Sequence, residues 1–464
     1  MLMGGSIQNY LIDQGVAYQQ IGCPVRDTLY EAAQAALLLP GKVLRASLVE
    51  SSVGLLMAIL PCDRILDVEA LSARLGCDIW PATDAALTRL FPDCDARFIP
   101  ALPQAYVIPA IVDDSIASLD RFWLASGASD NLLEFESQVE GIIWRDAWHG
   151  NFARRRAVLI RDDLDADGEA QERQPHWPNP IQLKHRIQAL NELPPMPAMA
   201  QQLLRLRTLP DASGEDLAKV IELDPSLAAQ VVSYASSAFY GYLGKINSIR
   251  DAITRVLGYD LVMNMALGLA IGKTLKVSAE GPLGLTAYWR HAVMSAALAE
   301  RLAKQVPPQH GLRPGMAYLA GLLHDFGYLL LGHVFKPGFH QLNRLVAFNP
   351  HLPLVDLETH VLGVRHDQLG AWLMRSWEMP DELTVTARWH HADAYQGEHA
   401  GYLLLVALAD RLLKPYGLSD ASSSAIPPSI VASLGLQQDQ ILMALQSVIN
   451  ARPGLEQLAL QLAA

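Results

Sequence analysis

Two textures of hydrophobic patterning divide this chain. Up to about residue 144, short β-rich runs alternate with helical ones. The stretches 42–49, 54–60 and 107–112 read as strands, and 68–75, with apolar positions at helical spacing, reads as a helix. Such alternation makes an α/β or α+β domain. Over 151–180 the pattern fails: an acidic run at 162–172 is followed by Pro175, Pro178 and Pro180, a composition that buries no apolar surface and reads as a linker. Beyond Pro180 strand signals nearly vanish. Leu203, Leu204 and Leu206, then Leu217, Val220 and Ile221, recur at helical spacing, and Asp216 and Asp224-Pro225 mark turns, so the second domain is predicted to be all-helical. A serine-rich break at 419–424, followed by Pro427 and Pro428, sets off a final helical tail. The predicted layout is an α/β (α+β) domain over 1–148, a linker over 149–180, a helical domain over 181–415 and a tail over 416–464.

Length and composition sharpen this picture. A chain of 464 residues exceeds what one hydrophobic core usually serves, and 51% hydrophobic against 18% charged residues places it among well-packed globular proteins. The net charge of -12 repels phosphate backbones on average, so extended nucleic-acid binding would need a local basic patch. Arg154, Arg155 and Arg156 form the one compact basic run, and beside an acidic stretch they read as a solvated linker face. Cys23, Cys62, Cys77 and Cys94 contain no C-x-x-C pair and suit reduced cytosolic thiols. Residues 1–8 lack the basic and apolar regions of a secretion signal. No segment approaches the ~20 apolar residues of a membrane helix, and 261–275, short and interrupted by Asn264, reads as a buried helix. The expected location is the cytoplasm, with no membrane partner.

The strongest chemical signal lies in the helical half. His291 stands in YWRHAVMSAALAERLA, His324 and Asp325 in AGLLHDFGYLLLGH, then come His366, His390 and His391, and Asp410 in LLLVALADRLL. Each sits in an apolar, helix-forming context, where an unpaired imidazole or carboxylate costs on the order of a few kcal/mol. A shared partner removes that cost. Imidazole nitrogens and carboxylate oxygens from several helices suit a divalent ion of the iron, manganese or zinc type, which lowers the pKa of a bound water toward neutrality.

Further residues carry a family resemblance. The run 191–197 (NELPPMP), Asp224-Pro225-Ser226-Leu227, Ser237-Ala238-Phe239-Tyr240, Ile249 with Ala252-Ile253, and Leu257-Gly258 resemble the opening of an HDOD domain. Trp289-Arg290-His291, GLLHDFG, Gly363 with His366, Gly370, Trp377, Pro380 and His390-His391 resemble its later half, so the likeness covers roughly 187–412. It implies an all-α fold of the HD superfamily and a role as a signalling output or interaction module, many members having lost the metal ligands. Positions that match ligands of active HD hydrolases are occupied here by His291, His324, Asp325 and Asp410. His366 with His390 or His391 resembles the longer, two-metal ligand set of the HD-GYP phosphodiesterases. No Gly-Tyr-Pro follows the paired histidines, where the sequence is Ala392-Asp393-Ala394-Tyr395-Gln396, which argues against cyclic-di-GMP hydrolysis. Three readings stay open: an inherited framework whose groups bond one another or carbonyls, bound metal without turnover, and a working phosphohydrolase. Gly258, Gly363 and Gly370 are expected at helix ends or close helix approaches, and Trp289, Trp377 and Trp389 in the core.

The first domain carries a second resemblance. Gly41-Lys42-Val43-Leu44, the strand pair after it, Pro61-Cys62-Asp63-Arg64, the helix with Leu66 and Leu71, and 109–115 (PAIVDDS) are similar to the YbaK-type domain associated with prolyl-tRNA synthetases, over about 8–144. That family resembles aminoacyl-tRNA deacylases, and the lysine at the position of Lys42 helps hold the substrate, so Lys42 is the candidate catalytic residue of this half. Editing domains also carry a glycine-containing loop through which backbone amides reach the ester. Between Gly76 and Gly127 this chain has no glycine, and LFPDCDARFIPALP at 90–103 stands in its place. Without glycine, positive φ is costly, which argues against tRNA as the substrate. A retained fold that senses an amino acid or nucleotide, or docks to a signalling protein, is the favoured use.

The expectation is therefore a signal-transduction regulator, non-catalytic, in which an editing-like sensor domain is joined to an HDOD output domain. The alternative is a hydrolase, either a metal-dependent HD-type phosphohydrolase or an aminoacyl-tRNA deacylase.

Overall fold

The computed structural model describes residues 4–155 except 53, and 194–463 except 238, 273, 274, 276, 393 and 394. The expected linker from 156 on, Arg156 included, and Asn191, Glu192 and Leu193 of the helical resemblance lie outside the described residues. Contacts divide the chain into two units: the residues up to 155 with Arg344–His360 form one, and the remainder forms the other.

In the first unit the alternating runs become strands β1 (Gln19–Gly22), β2 (Val43–Ser51), β3 (Gly54–Pro61), β4 (Arg64–Leu66), β5 (Ile79–Pro81), β6 (Ala110–Asp113), β7 (Arg121–Ala125), β8 (Asn131–Glu136), β9 (Trp148–Gly150) and β10 (Ala153–Arg155). Their order is β1-β8-β7-β2-β3-β6-β9, with β5 also on β2, while β4 and β10 make a separate ribbon. The sheet is mixed. β2 and β3 are antiparallel from Leu44 opposite Pro61 to Ser51 opposite Gly54, whereas β2–β7, β3–β6 and β6–β9 are parallel. Because side chains alternate along a strand, Leu44, Met57, Ile59 and Val112 enter one core with Phe122 and Trp144, while Leu56, Ala58, Leu60 and Ile111 enter another on the opposite face.

The helices here are α1 (Gly5–Asp13), α2 (Leu29–Ala35), α3 (Val68–Leu75), α4 (Asp84–Leu90) and α5 (Glu140–Ile143). α3 occupies the residues predicted for it. The Asp67 carboxylate accepts from the Glu69 and Ala70 amides at its start, and Gly76, in the left-handed conformation, ends it. The strand expected over 107–112 begins instead at Ala110, because 103–106 form a 3-10 turn and Val107 takes φ +55.

Pairing also continues past 148, the expected end of the domain, to Arg155. Buried Asp113 fixes this corner: one carboxylate oxygen accepts from the Phe152 and Ala153 amides at 2.9 and 2.8 Å, and the other from the Ser115 amide at 3.0 Å. Arg154 therefore does not lie on a solvated linker. It sits in β10, opposite Ile65, and its guanidinium pairs with Asp67.

Arg344–His360 completes this unit although it comes from far along the chain. Phe348 joins the core on the face of α3. Asn349 is fully buried, its Oδ1 accepting from Arg45 Nη2 at 2.7 Å and from the Leu66 amide at 2.8 Å, and its Nδ2 donating to the Leu345 carbonyl at 2.9 Å. Burial pushes the Arg45 guanidinium down to about 9, and Asn349 supplies a neutral acceptor for it.

The second unit is helical: α6 (Ala198–Thr208), α7 (Gly214–Glu222), α8 (Pro225–Ala235), α9 (Tyr259–Gly272), α10 (Leu285–Ala303), α11 (Pro314–Leu323), α12 (Phe326–Val334), α13 (Lys336–Phe348, whose end lies in the first unit), α14 (Leu354–Leu362, which lies in the first unit up to His360), α15 (His366–Ser376), α16 (Asp381–Trp389), α17 (Ala400–Leu413), α18 (Pro428–Leu434), α19 (Gln438–Asn450) and α20 (Arg452–Ala463). α9 is buried nearly all round, as its apolar run predicts. α10 is the central element, packed by α11, α17, α19 and α20. The helices beyond 416 are thus part of the helical packing and not a detached tail.

Asn349→Ala should lower the urea midpoint of the full chain. The expected loss is about 1–3 kcal/mol, because the Leu66 amide and the Arg45 guanidinium both lose a buried acceptor; an unchanged midpoint would contradict this account.

Candidate metal centre

The helices carry the predicted residues to one place. His291 projects from the middle of α10 and Asp410 from the second half of α17, both buried helix faces. His324 and Asp325 sit where α11 ends and α12 begins, so adjacent residues leave the backbone at a bend and approach the centre separately. His366 opens α15, and His390 and His391 directly follow α16.

Two groups result, each able to offer four ligand atoms within 4.8 Å of one another: Asp325, His366, His390 and His391, and His291, His324, Asp410 and Asp420. All seven residues singled out in the sequence converge. Asp325 lies between the groups. Its Oδ2 is 3.1 Å from His291 Nε2 and 3.3 Å from His324 Nε2, and its Oδ1 is 3.2 Å from both His366 Nε2 and His390 Nε2. Asp410 is oriented by the Ser295 hydroxyl, which donates to its Oδ1 at 2.8 Å.

Backbone carbonyls fix the imidazoles. His291 Nδ1 donates to the Leu418 carbonyl at 2.8 Å, His324 Nδ1 to that of Gly321 at 2.8 Å, and His390 Nδ1 to that of Ala387 at 3.0 Å. A carbonyl only accepts, so Nδ1 bears the proton and in the neutral ring Nε2 presents a lone pair. Nε2 atoms approach one another across the cluster, His366 and His390 at 3.2 Å and His366 and His391 at 3.2 Å, and in the His291–His324 pair, at 3.1 Å, both rings have Nδ1 on a carbonyl, so that their Nε2 lone pairs are opposed. Opposed lone pairs at such distances repel unless a cation or extra protons stand between them. The donor set, five imidazoles and three carboxylates, fits a pair of borderline divalent ions.

Electrostatics point the same way. Burial by itself would push His291 down, but its hydrogen bond to Asp325 and the charges of Asp410, Asp325 and Asp420 outweigh it and raise the ring to about 10. His324 is raised too, against burial, by Asp325 and Asp410. For Asp325 burial opposes ionisation, yet the surrounding imidazoles hold it well below the usual carboxylate range. Asp420 is raised by burial and by Asp325, and His391 is pushed well down by burial and by His390 and His366. The cluster calls for positive charge near its acids.

Asp420 was not singled out by sequence reasoning. It lies in the serine-rich stretch 419–424, read there as a break before a tail, and no periodicity marks it. Its Oδ1 is buried without a hydrogen-bond donor, and the Tyr328 hydroxyl donates to its Oδ2 at 3.1 Å. Tyr328 also stacks on His366, with ring centroids 4.0 Å apart.

Glycine permits one critical approach. A Cβ on Gly327 would fall 1.9 Å from the His366 carbonyl oxygen, so only glycine lets α12 reach the start of α15. Gly370 faces the same contact, with its would-be Cβ 3.2 Å from the Gly327 amide, and Gly258 and Gly363 sit at helix ends with positive φ, as expected. Trp289 and Trp377 are core residues, and half-buried Trp389 lies under Arg388.

In the sheet unit, Lys42, expected within a strand, instead closes the 3-10 turn Pro40–Lys42 just before β2, and its ammonium pairs with the exposed carboxylate of Asp120 at 2.6 Å. Residues 90–103 form a packed corner: Phe91, Phe98, Ile99 and Leu102 are buried, and Asp93 accepts from the Ser6 amide and the Tyr106 hydroxyl. Val107, just beyond, is β-branched, exposed and left-handed, a strained conformation that glycine would adopt freely. Cys23 and Cys62 are buried, and burial pushes the half-buried Cys94 thiol up to about 11, which keeps it protonated. Among the described residues no helix is long and apolar enough to cross a membrane.

Fold and site together define a class of protein: an editing-type sheet domain joined to a helical domain built around an HD-type histidine and aspartate cluster. Comparison with known proteins agrees. Residues 193–393 match the HDOD domain and residues 23–140 the aminoacyl-tRNA editing domain. A protein of Marinobacter aquaeolei VT8 named as a signal transduction protein has a crystal structure with 32% sequence identity, 99% of each chain covered and a TM-score of 0.78. An HDOD domain protein from Geobacter sulfurreducens is 26% identical, covering 59% of this chain and 96% of that one, with a TM-score of 0.50. An uncharacterized protein of Treponema pallidum (strain Nichols) is 24% identical over 271 residues, 58% of this chain, which spans about half (51%) of that relative's length. The chain belongs to the family in which an aminoacyl-tRNA editing domain is joined to an HDOD domain.

Gly327→Ala should lower the melting temperature sharply, overpacking of a core contact costing about 1–3 kcal/mol or more. Gly370→Ala, at 3.2 Å, should cost less; equal effects in thermal unfolding would contradict the close approach described here.

Proposed function

We propose that this chain is a signal-transduction regulator whose helical domain holds two divalent ions of the iron, manganese or zinc type and hydrolyses a phosphate ester there. The observation that carries this reading is the set of Nε2 lone pairs turned toward one another by backbone carbonyls, around a carboxylate that lies between two four-ligand groups. In it Asp325, His366, His390 and His391 would hold one ion and His291, His324 and Asp410 the other, with the Asp420 carboxylate beside the second set. When bound, such a pair supplies a hydroxide at neutral pH and neutralises charge on the phosphoryl oxygens. The chain's own contribution is to hold the imidazoles in one tautomer and the carboxylates in one orientation, through the Gly321, Ala387 and Leu418 carbonyls and the Ser295 hydroxyl. The name carried by the Marinobacter relative supports a place in signalling.

A second reading is favoured by the enclosure of the cluster. The ligand side chains of His324, Asp325, His366, His390 and Asp410 are at most 4% exposed, and those of His291, Asp420 and His391 are 11, 13 and 18% exposed. A centre so enclosed suits a non-catalytic regulator in which the ions fix the shape of an interaction domain. For the sheet domain we propose a sensing or docking role. Lys42 engaged by Asp120, and a packed corner in place of a glycine loop, support that use over hydrolysis of aminoacyl-tRNA.

Protein purified without chelators should contain about two equivalents of iron, manganese or zinc by elemental analysis, and His324→Ala combined with Asp325→Ala should remove most of both. Hydrolysis of bis-p-nitrophenyl phosphate that a chelator abolishes and the metal restores would establish turnover, while two ions without turnover would favour the non-catalytic regulator. Metal-free wild-type protein, folded and inert, would sink the metal reading. Misacylated tRNA should be hydrolysed by wild type and Lys42→Ala at the same background rate; a rate lost only in the variant would restore the deacylase.

A further inference from the structure

Seven of the eight candidate ligands are carried on helices or at their ends, and Asp420 alone is not. It sits in the irregular stretch 417–427 between α17 and α18, which begins at Gly417 with φ +67 and contains Ser419, Ser422, Ser423 and Ser424. Leu418 anchors the start of that stretch, its side chain buried and its carbonyl accepting from His291 Nδ1. Past Asp420 it is held by two long cationic side chains at partly open positions: Lys414 donates to the Ala421 carbonyl and Arg411 to that of Ala425 at 3.1 Å. Asp420 is brought in from this side with one carboxylate oxygen 3.8 Å from His291 Nε2 and the other 3.7 Å from His391 Nε2, so it reaches toward both ligand groups at once. Its Oδ1 is buried with no hydrogen-bond donor, and its Oδ2 takes the Tyr328 hydroxyl.

An ion pair that acts on a phosphate ester must leave coordination positions for the phosphoryl oxygens, whereas a closed ligand set belongs to a structural ion. With helix-borne ligands alone, one group keeps four donors and the other keeps three: His291, His324 and Asp410. The fourth is an anion with two oxygens spanning both groups, delivered by an irregular segment and steadied by one neutral hydroxyl. Phosphate presents the same charge type and the same paired oxygens.

We propose that 417–427 is an internal strap and that the Asp420 carboxylate occupies the place of a substrate phosphate, so that the centre is closed until a phosphate-bearing ligand displaces it. The proposal rests on the two-ion reading above. With the strap displaced, Tyr328 remains stacked on His366, and its hydroxyl no longer holds the carboxylate over the centre. The enclosure of the cluster is then a closed state of a hydrolytic site.

The test uses the full chain, loaded with metal, and inorganic phosphate as the probe. Asp420→Asn keeps the side-chain shape and removes the charge. It should retain both ions by elemental analysis and bind inorganic phosphate at least about tenfold more tightly than wild type by titration calorimetry, about 1.4 kcal/mol. Tyr328→Phe removes the hydroxyl that steadies Asp420 and serves where Asp420→Asn does not fold; it should tighten phosphate binding by a smaller factor. If Asp420→Asn loses one of two ions present in wild type, Asp420 is a permanent ligand and the strap is refuted. Equal phosphate affinity in wild type and both variants, with two ions bound in each, refutes it as well while leaving the two-ion reading intact. Wild-type protein that takes up no metal overturns both.

Discussion

The helical domain depends on one constraint: backbone carbonyls claim the Nδ1 protons of His291, His324 and His390 and thereby decide where the Nε2 lone pairs point. Once those carbonyls are in place the rings cannot rotate without leaving a buried acceptor unmet, which costs about 1–3 kcal/mol each. The lone pairs must then share a small volume with Asp325, Asp410 and Asp420. Such an arrangement is poor as a purely protein structure and good as a pair of ligand sets. The helices are sited to serve it, with His366 at the first turn of α15 and His390 and His391 past the last turn of α16, where side chains can be aimed without breaking a helical ladder.

Close helix approach is the second requirement. α12 carries both Asp325, at its cap, and Tyr328, and it can meet the start of α15 only because position 327 has no side chain. That contact sets the distance between Asp325 and His366 and brings Tyr328 over the imidazole. A charged centre in the core is thus supported by apolar packing and glycine, which determine its geometry as much as the ligands do.

The sheet domain solves a different problem. Its mixed sheet carries the buried Asp113 corner, with Lys42 just ahead of β2, and the stretch 90–103, where the family resemblance led a glycine-containing loop to be expected, is filled with buried aromatic and aliphatic groups. Val107 shows the consequence: the chain still turns through a left-handed residue there, at a cost in strain, without glycine's freedom. Asn349 adds a polar tie from a remote segment, pairing with the Leu66 backbone much as a neighbouring strand would.

Much of this was legible in the chain itself. Strand alternation at 42–49 and 54–60, the helix at 68–75, the buried helix within 261–275 and the ordered series from His291 to Asp410 all follow from local rules of periodicity and the cost of burying polar groups. Those rules reach only as far as neighbouring turns. They misplaced the end of the sheet domain, because the pairing of β10 with β4 joins residues some ninety apart, and they read 419–424 as a break, because nothing local distinguishes an aspartate on a surface turn from one aimed at a buried centre. They were blind to Asn349 for the same reason. The sequence by itself determined which residues had to find partners; tertiary packing alone decided which partners they found, since the energy of a hydrogen bond or a ligand set depends on distance in space and not along the chain.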